Sequence, residues 1–93
     1  MNIFKSWTYK LSLKDIMKPY EGRNVTNQEA RIIGKAVAKK IREHRMFEYH
    51  KTLLEPICES FQRVKSQEGF NRTLDSLYNW GDYNKTCWIE TYW

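Results

Sequence analysis

Residues 26–45, TNQEARIIGKAVAKKIREHR, constrain the fold more than any other stretch, because their pattern is typical of one amphipathic helix. Thr26 and Glu29 have the spacing of a capping box, in which each side chain satisfies a backbone N–H group at the start of a helix. The apolar residues share one helical face, with Gly34 among them: Ala30, Ile33, Val37 and Ile41. We therefore predict a helix over residues 27–45 that packs this face on the core.

A row of cations lies on the neighbouring face of the same predicted helix, within about 120° at about 100° per residue. The row consists of Arg31, Lys35, Lys39, Arg42 and Arg45. It extends about 20 Å at about 1.5 Å per residue, a length that spans several phosphates of a nucleic-acid strand. The cations Lys10, Lys14 and Lys18 would extend this surface if the first strand lay alongside. The competing interpretation is that cations on an exposed helix face only keep the protein soluble.

Alternation of side chains at both ends of the chain predicts two strands. In residues 3–13, Tyr9 and Leu11 point to one side and Lys10 to the other, and residues 85–93 alternate in the same way. The simplest arrangement pairs the two ends. We therefore predict an α+β domain, with a two-stranded antiparallel ribbon of N- and C-terminal strands packed on about three helices.

The pattern between the strands leaves the number of helices open. The apolar stripe after residue 46 is roughly opposite in phase to that of residues 30–41, which indicates a bend. We predict a second helix that ends near Gln67 and is kinked at Pro56 or begins near it; one long bent helix over residues 27–67 is the alternative. Gly69 is expected to end this helix. A third helix would follow over residues 72–80, capped by Asn71 and ended by a turn at residues 80–82.

Length and charge indicate one small basic domain. The 93 residues suffice for a single core, so residues 1–93 are taken as one globular domain with a net charge of +5. Residues 1–51 hold twelve Lys and Arg against five Asp and Glu, a net charge of +7, whereas residues 52–93 hold four against six, a net charge of −2. An acidic partner is therefore expected to meet the first half.

Cysteine usage and the N-terminus favour a cytoplasmic protein. Cys58 and Cys87 have no zinc-site spacing, and the position of Cys58 on an apolar helix side favours a free buried thiol, so we expect both to be reduced. The first ten residues lack the apolar run of a signal peptide. No run approaches the roughly 20 apolar residues that span a bilayer, so no membrane partner is expected.

Catalytic motifs do not stand out. The chain has no glycine-rich phosphate loop and no nucleophile motif, and His44 and His50 are six positions apart, which does not place them on one helical face. Glu55 and Glu59 do share a face, but such pairs also occur on ordinary solvated helices. We expect no catalytic residue, no metal and no cofactor, and regard a small nuclease or other hydrolase as the weakest of three hypotheses.

The C-terminal sequence WIETYW is the second indication of an interaction surface. Trp88, Tyr92 and Trp93 fall on alternating faces of the predicted strand, and a small core cannot easily bury all three. At least one ring should be exposed, and exposed tryptophan is enriched at protein interfaces.

These observations favour a non-catalytic binding or regulatory protein that uses a basic helix face. The expected partner is an acidic protein surface or a nucleoprotein complex, and the expected role is inhibition or modulation of a nucleic-acid-handling complex. In composition alone, the chain is similar to the small basic proteins of phages and mobile elements, anti-CRISPR proteins among them. The alternative is a sequence-nonspecific DNA- or RNA-binding accessory protein. The sequence leaves the oligomeric state open.

Overall fold

The computed structural model describes the backbone of residues 9–22, 24–83 and 87–90, and the side chains of residues 10–22 and 24–81. In chain order the elements are β1 (Tyr9–Ser12), α1 (Lys14–Met17) with a following 3-10 turn (Lys18–Tyr20), α2 (Asn27–Glu43), α3 (Arg45–Tyr49), α4 (Lys51–Gln62), α5 (Gln67–Tyr83) and β2 (Cys87–Glu90). The described part of the chain is therefore predominantly helical.

The predicted α+β fold with an antiparallel ribbon is wrong. Within the described residues, β1 and β2 comprise four residues each, and they run parallel, with Lys10 opposite Trp88 and Leu11 opposite Ile89. Residues 3–8, 85–86 and 91–93 of the two predicted strands lie outside the described residues. All five helices lie in the connection between β1 and β2, and a parallel pair requires such a crossover. Alternation in sequence indicates that a segment is extended, but the direction in which it enters a sheet depends on how the helices before it pack.

The core lies between α2, α4 and α5 and is closed at one end by β1 and α1. The apolar face predicted for α2 is buried there, since Ala30, Ile33, Val37 and Ile41 are at most 1% exposed. Opposite it, α4 contributes Leu54, Cys58 and Phe61, and α5 contributes Phe70, Leu74 and Leu77. The phenyl rings of Phe61 and Phe70 meet with their centroids 5.7 Å apart, which joins the last two helices.

The start of α2 is as predicted. The Thr26 hydroxyl accepts the Glu29 backbone N–H at 3.1 Å, and the Glu29 carboxylate accepts the Thr26 backbone N–H at 3.0 Å. This complete capping box satisfies two donors that would otherwise lack a partner.

The end of α2 differs from the prediction, because the helix stops at Glu43 and His44 is extended, with φ −82° and ψ 146°. The His44 Nδ1 atom accepts the Met46 backbone N–H at 3.2 Å and so caps α3. Nδ1 is therefore the acceptor, and Nε2–H donates to the Lys10 carbonyl oxygen at 2.8 Å. Neither one bent helix nor two helices is correct: residues 27–62 form three.

Pro56 neither starts nor ends a helix. It lies inside α4, which begins at Lys51, so the expected restart near the proline is wrong. A proline at this position leaves the carbonyl of Thr52 without its helical donor. Thr52 and Pro56 are both exposed, and water can supply that hydrogen bond.

The last helix begins earlier and ends later than predicted. Ser66 precedes it, and its hydroxyl accepts the Gly69 backbone N–H at 3.1 Å, so Gly69 lies in the first turn rather than ending a helix. Asn71 is consequently inside α5 and does not cap it. The expected turn at residues 80–82 is also wrong, since α5 continues to Tyr83.

Candidate interaction surface

The five cations predicted for the helix face do not form one continuous exposed row. Arg31, Lys35 and Lys39 are exposed along α2, as their spacing requires. Arg42 is only partly exposed, and its guanidinium donates to the Glu55 carboxylate at 3.1 Å, which ties α2 to α4. Arg45 follows the break at His44 and belongs to α3, so the periodicity of α2 no longer determines its direction.

Gly34 lets the C-terminal end of α4 approach α2 closely. A Cβ atom at this glycine would lie 2.4 Å from the Phe61 carbonyl oxygen and 3.1 Å from the Val64 Cβ atom. Only a residue without a side chain permits this contact. As a result, Arg31 and Lys35, on either side of Gly34 in sequence, lie beside the connection between α4 and α5.

Four cations from these two parts of the chain line one open concavity of about 660 Å³, which we call the basic groove. Its lining residues are Arg31, Lys35, Gln62, Arg63, Val64 and Lys65. No carboxylate is among them. Within the described part of the chain, none of the four cations forms an ion pair, unlike Arg42.

Two effects favour this clustering of positive charge. The carbonyl groups at the C-terminal end of α4 carry partial negative charge, which stabilises nearby cations. The remaining positive potential faces solvent, where it attracts anionic groups and is weakened by salt. The groove can therefore hold carboxylates or phosphates.

Arg63 and Lys65 were not predicted, because they belong to the half of the chain with negative net charge. A sum of charges over sequence ignores where the residues lie in space. The one sequence signal of this contact was Gly34 on the buried face of α2, because a glycine there is typical of close approach between helices. It did not identify Arg63 or Lys65.

Three of the secondary binding residues of the prediction, Lys10, Lys14 and Lys18, do not line the basic groove. Lys10, Lys14 and Lys18 are exposed at β1, α1 and the following turn. The Trp88 side chain, Tyr92 and Trp93 lie outside the described residues.

The residues considered for catalysis do not form one site. Glu55 pairs with Arg42, whereas Glu59 is exposed. Cys58 is a free thiol with 0% exposure, and burial raises its pKa to about 11, with Arg42 lowering it and Glu55 raising it. A thiol with so high a pKa is a poor nucleophile at neutral pH. Among the described residues, no three His, Cys, Asp or Glu side chains are placed to hold a metal ion together.

No family model matches the chain, and neither a curated protein nor a solved structure matches it.

In the described part of the chain, no helix combines the length and the apolar character that crossing a membrane requires.

Proposed function

We propose that this chain is a non-catalytic binding protein that docks on an acidic protein surface through the basic groove and the adjoining face of α2. The observation that carries the proposal is the convergence of four cations, Arg31, Lys35, Arg63 and Lys65, on one open concavity whose described lining includes no carboxylate. Attraction between these cations and an acidic surface raises the rate of association, and complementary charges fix the orientation of the two proteins.

A protein partner is favoured by apolar side chains on the same surface. Ile32 is 54% exposed, and at about 100° per residue it lies about 20° from Lys39 around α2. Val64 also lines the groove but is only 5% exposed, so Ile32 is the larger apolar contact of the two. Protein interfaces combine such apolar contacts with charged residues, whereas a phosphate backbone gains little from an isoleucine.

In its biological setting, we propose a cytoplasmic inhibitor or modulator of a nucleic-acid-handling complex, of the kind that phages and mobile elements encode. The support for this setting is similarity in size, charge and composition alone.

Direct, sequence-nonspecific binding of DNA or RNA is the second candidate. It is supported by the exposed series Arg31, Lys35 and Lys39, whose members recur every four residues, about 6 Å apart along α2. Neutralising phosphates with such a series would give affinity that falls steeply as salt rises from about 50 mM to about 200 mM.

The test is capture of the partner by the full chain from nuclease-treated lysate of the native host. A partner protein should be retained by the wild type and lost with the double variant Arg31→Glu, Lys35→Glu. The matched control, Lys18→Glu with Lys51→Glu, makes the same charge change at exposed residues outside the groove and should retain the partner. Equal capture by wild type and groove variant would remove the groove from the interface.

A mixed-sequence oligonucleotide, titrated at low and moderate salt, separates the two candidates. Direct nucleic-acid binding predicts two results: the wild type binds the oligonucleotide tightly and in a salt-sensitive way that the groove variant abolishes, and protein capture is lost after nuclease treatment. If both are observed, the second candidate replaces the first.

A further inference from the structure

A second groove runs between α4 and α5, next to the basic groove. It consists of two adjoining concavities that share Ser60, Arg72 and Thr73. The remaining lining residues are Pro56, Ile57 and Ser76 on one side and Arg63, Val64, Lys65, Ser66 and Gly69 on the other. We call the two together the α4–α5 groove.

The two ends of the α4–α5 groove differ in chemistry. One end carries the exposed cations Arg63 and Lys65, and Arg72 lies in the part that the two concavities share. The apolar residues of the groove, Pro56 and Ile57, lie at the other end, next to Ser76. Leu53 lines neither concavity, but it lies one helical turn before Ile57 on the same side of α4 and is 56% exposed, so it is an apolar residue just beyond this end of the groove.

The α4–α5 groove offers hydrogen-bond acceptors in its middle and towards the end that holds Pro56 and Ile57. The hydroxyl groups of Ser60, Thr73 and Ser76 donate their protons within their own helices, to the carbonyl oxygens of the residues four positions earlier at 3.0, 2.9 and 3.3 Å. Their oxygen atoms can then only accept further hydrogen bonds. Backbone N–H groups of a peptide can use such acceptors, whereas phosphate diesters have no donor to offer them.

Among the described side chains of the two helices, no carboxylate lines this groove. Glu59, Glu68 and Asp75 are exposed but line neither concavity, and Glu55 pairs with Arg42. The cationic end therefore keeps its charge available for a carboxylate from another molecule.

We propose that the α4–α5 groove binds an extended segment of the partner protein that carries one apolar and one acidic side chain. The apolar side chain lies at Ile57 and Leu53, and the carboxylate lies between Arg63 and Arg72. Arg63 directly follows α4, six positions after Ile57, which corresponds to a rise of about 9 Å along the helix axis at about 1.5 Å per residue. About three residues of an extended peptide cover this rise. The partner segment thus has its acidic residue about three positions from its apolar residue.

This inference deepens the proposed function and rests on it, since the partner is again a protein. It uses other residues of the chain, however, apart from Arg63, Val64 and Lys65 at the junction of the two grooves. The two claims can therefore be tested with different variants.

The test is selection of binders from a random peptide library by the immobilised full chain. Enriched peptides should carry Asp or Glu about three positions from Leu, Ile, Phe or Trp. The most enriched peptide, labelled with a fluorophore, should bind about tenfold more weakly to Arg72→Glu and to Leu53→Asp, because each loses a contact of roughly 1.5 kcal/mol. Both side chains are exposed, and circular dichroism should show that the variants remain folded.

Two controls make the outcome specific. Lys51→Glu makes the same charge change as Arg72→Glu at an exposed residue outside the groove, and it should leave the peptide affinity unchanged. The basic-groove variant Arg31→Glu, Lys35→Glu should also leave it within about twofold of wild type, a difference well below 1 kcal/mol.

Enriched peptides without acidic residues, or an affinity that neither groove variant changes, would overturn the inference. So would peptides that match a segment of this chain, because the occupant would then be a second copy. Displacement of the peptide by a mixed-sequence oligonucleotide would assign the groove to phosphates instead. If partner capture depends on Arg31 and Lys35 but the selected peptides do not behave as expected, only this inference is wrong. If partner capture does not depend on Arg31 and Lys35, the proposed function is wrong.

Discussion

Gly34 sets the distance between α2 and the end of α4, and substituting it should separate them. In Gly34→Ala, the new Cβ would lie 2.4 Å from a backbone oxygen, that of Phe61, which cannot rotate away. Alanine gains about 1 kcal/mol of helix propensity over glycine, but overpacking of a close contact costs about 1–3 kcal/mol and the backbone must also shift. We expect a net loss in the free energy of unfolding, measured by urea denaturation.

Gly69→Ala is the matched control for this substitution. Its Cβ would meet only the Ser66 Oγ atom, at an ordinary 3.4 Å, so the helix propensity gain should leave stability unchanged or slightly higher. If both variants have the same stability, the close approach at Gly34 does not constrain the packing.

Cys58 should react with thiol reagents only when the protein unfolds. Its side chain is 0% exposed and burial raises its pKa to about 11, so both access and the thiolate population are low at neutral pH. In a Cys87→Ser background, where Cys58 is the single thiol, the rate of labelling should rise with urea in parallel with unfolding. Labelling of the native protein at the rate of a free cysteine would contradict this.

The same pKa shift makes stability fall in alkaline solution. The unfolded thiol ionises near its ordinary pKa of 9.0, whereas the folded thiol holds its proton until about pH 11. The stabilising contribution is therefore complete below pH 9.0 and is lost as the pH rises towards 11. Across this range, the free energy of unfolding measured with urea should fall by up to about 2 kcal/mol more in wild type than in Cys58→Ala. Every other group that titrates in this range is present in both proteins, so the difference isolates Cys58. If the free energy of unfolding has the same pH dependence in wild type and in Cys58→Ala, Cys58 does not contribute to the alkaline loss of stability.

At the scale of elements, the break between α2 and α3 depends on both nitrogen atoms of His44. His44→Ala should remove the cap on α3 and the hydrogen bond to the Lys10 carbonyl, with a loss of about 1–3 kcal/mol in the free energy of unfolding. His44→Asn should lose less, since asparagine can still accept the Met46 backbone N–H as an N-cap. Thermal and urea unfolding measure both. Equal stability of all three proteins would mean that packing alone holds the break.

The elements also show where local patterns are sufficient and where they are not. The capping box at Thr26 and Glu29 forms as predicted, because both partners lie within one turn. The end of α2 is decided by His44, whose hydrogen bond reaches β1, 34 positions away in sequence. Gly69 did not end a helix, because the Ser66 hydroxyl and the buried Phe70 hold the first turn of α5 in place.

At the scale of the whole molecule, positive charge is distributed differently from what the sequence suggests. Summed over the chain, the second half has net charge −2, yet Arg63 and Lys65 from this half join Arg31 and Lys35 in the basic groove. Meanwhile Arg42, a member of the predicted row, is paired with Glu55. The candidate site is thus partly the predicted helix face and partly a connection that no periodicity indicated.

The sequence by itself determined α2, its N-terminal cap and which of its faces is buried, because these depend on residues within four positions of each other and on the helical repeat. The tertiary structure alone decided that β1 and β2 run parallel, that residues 27–62 form three helices, and that two sets of cations meet. Lys35 and Arg63 are 28 positions apart, and they come together only because Gly34 admits the Phe61 carbonyl to the surface of α2. Contacts over such separations depend on how whole elements pack, which local patterns do not encode.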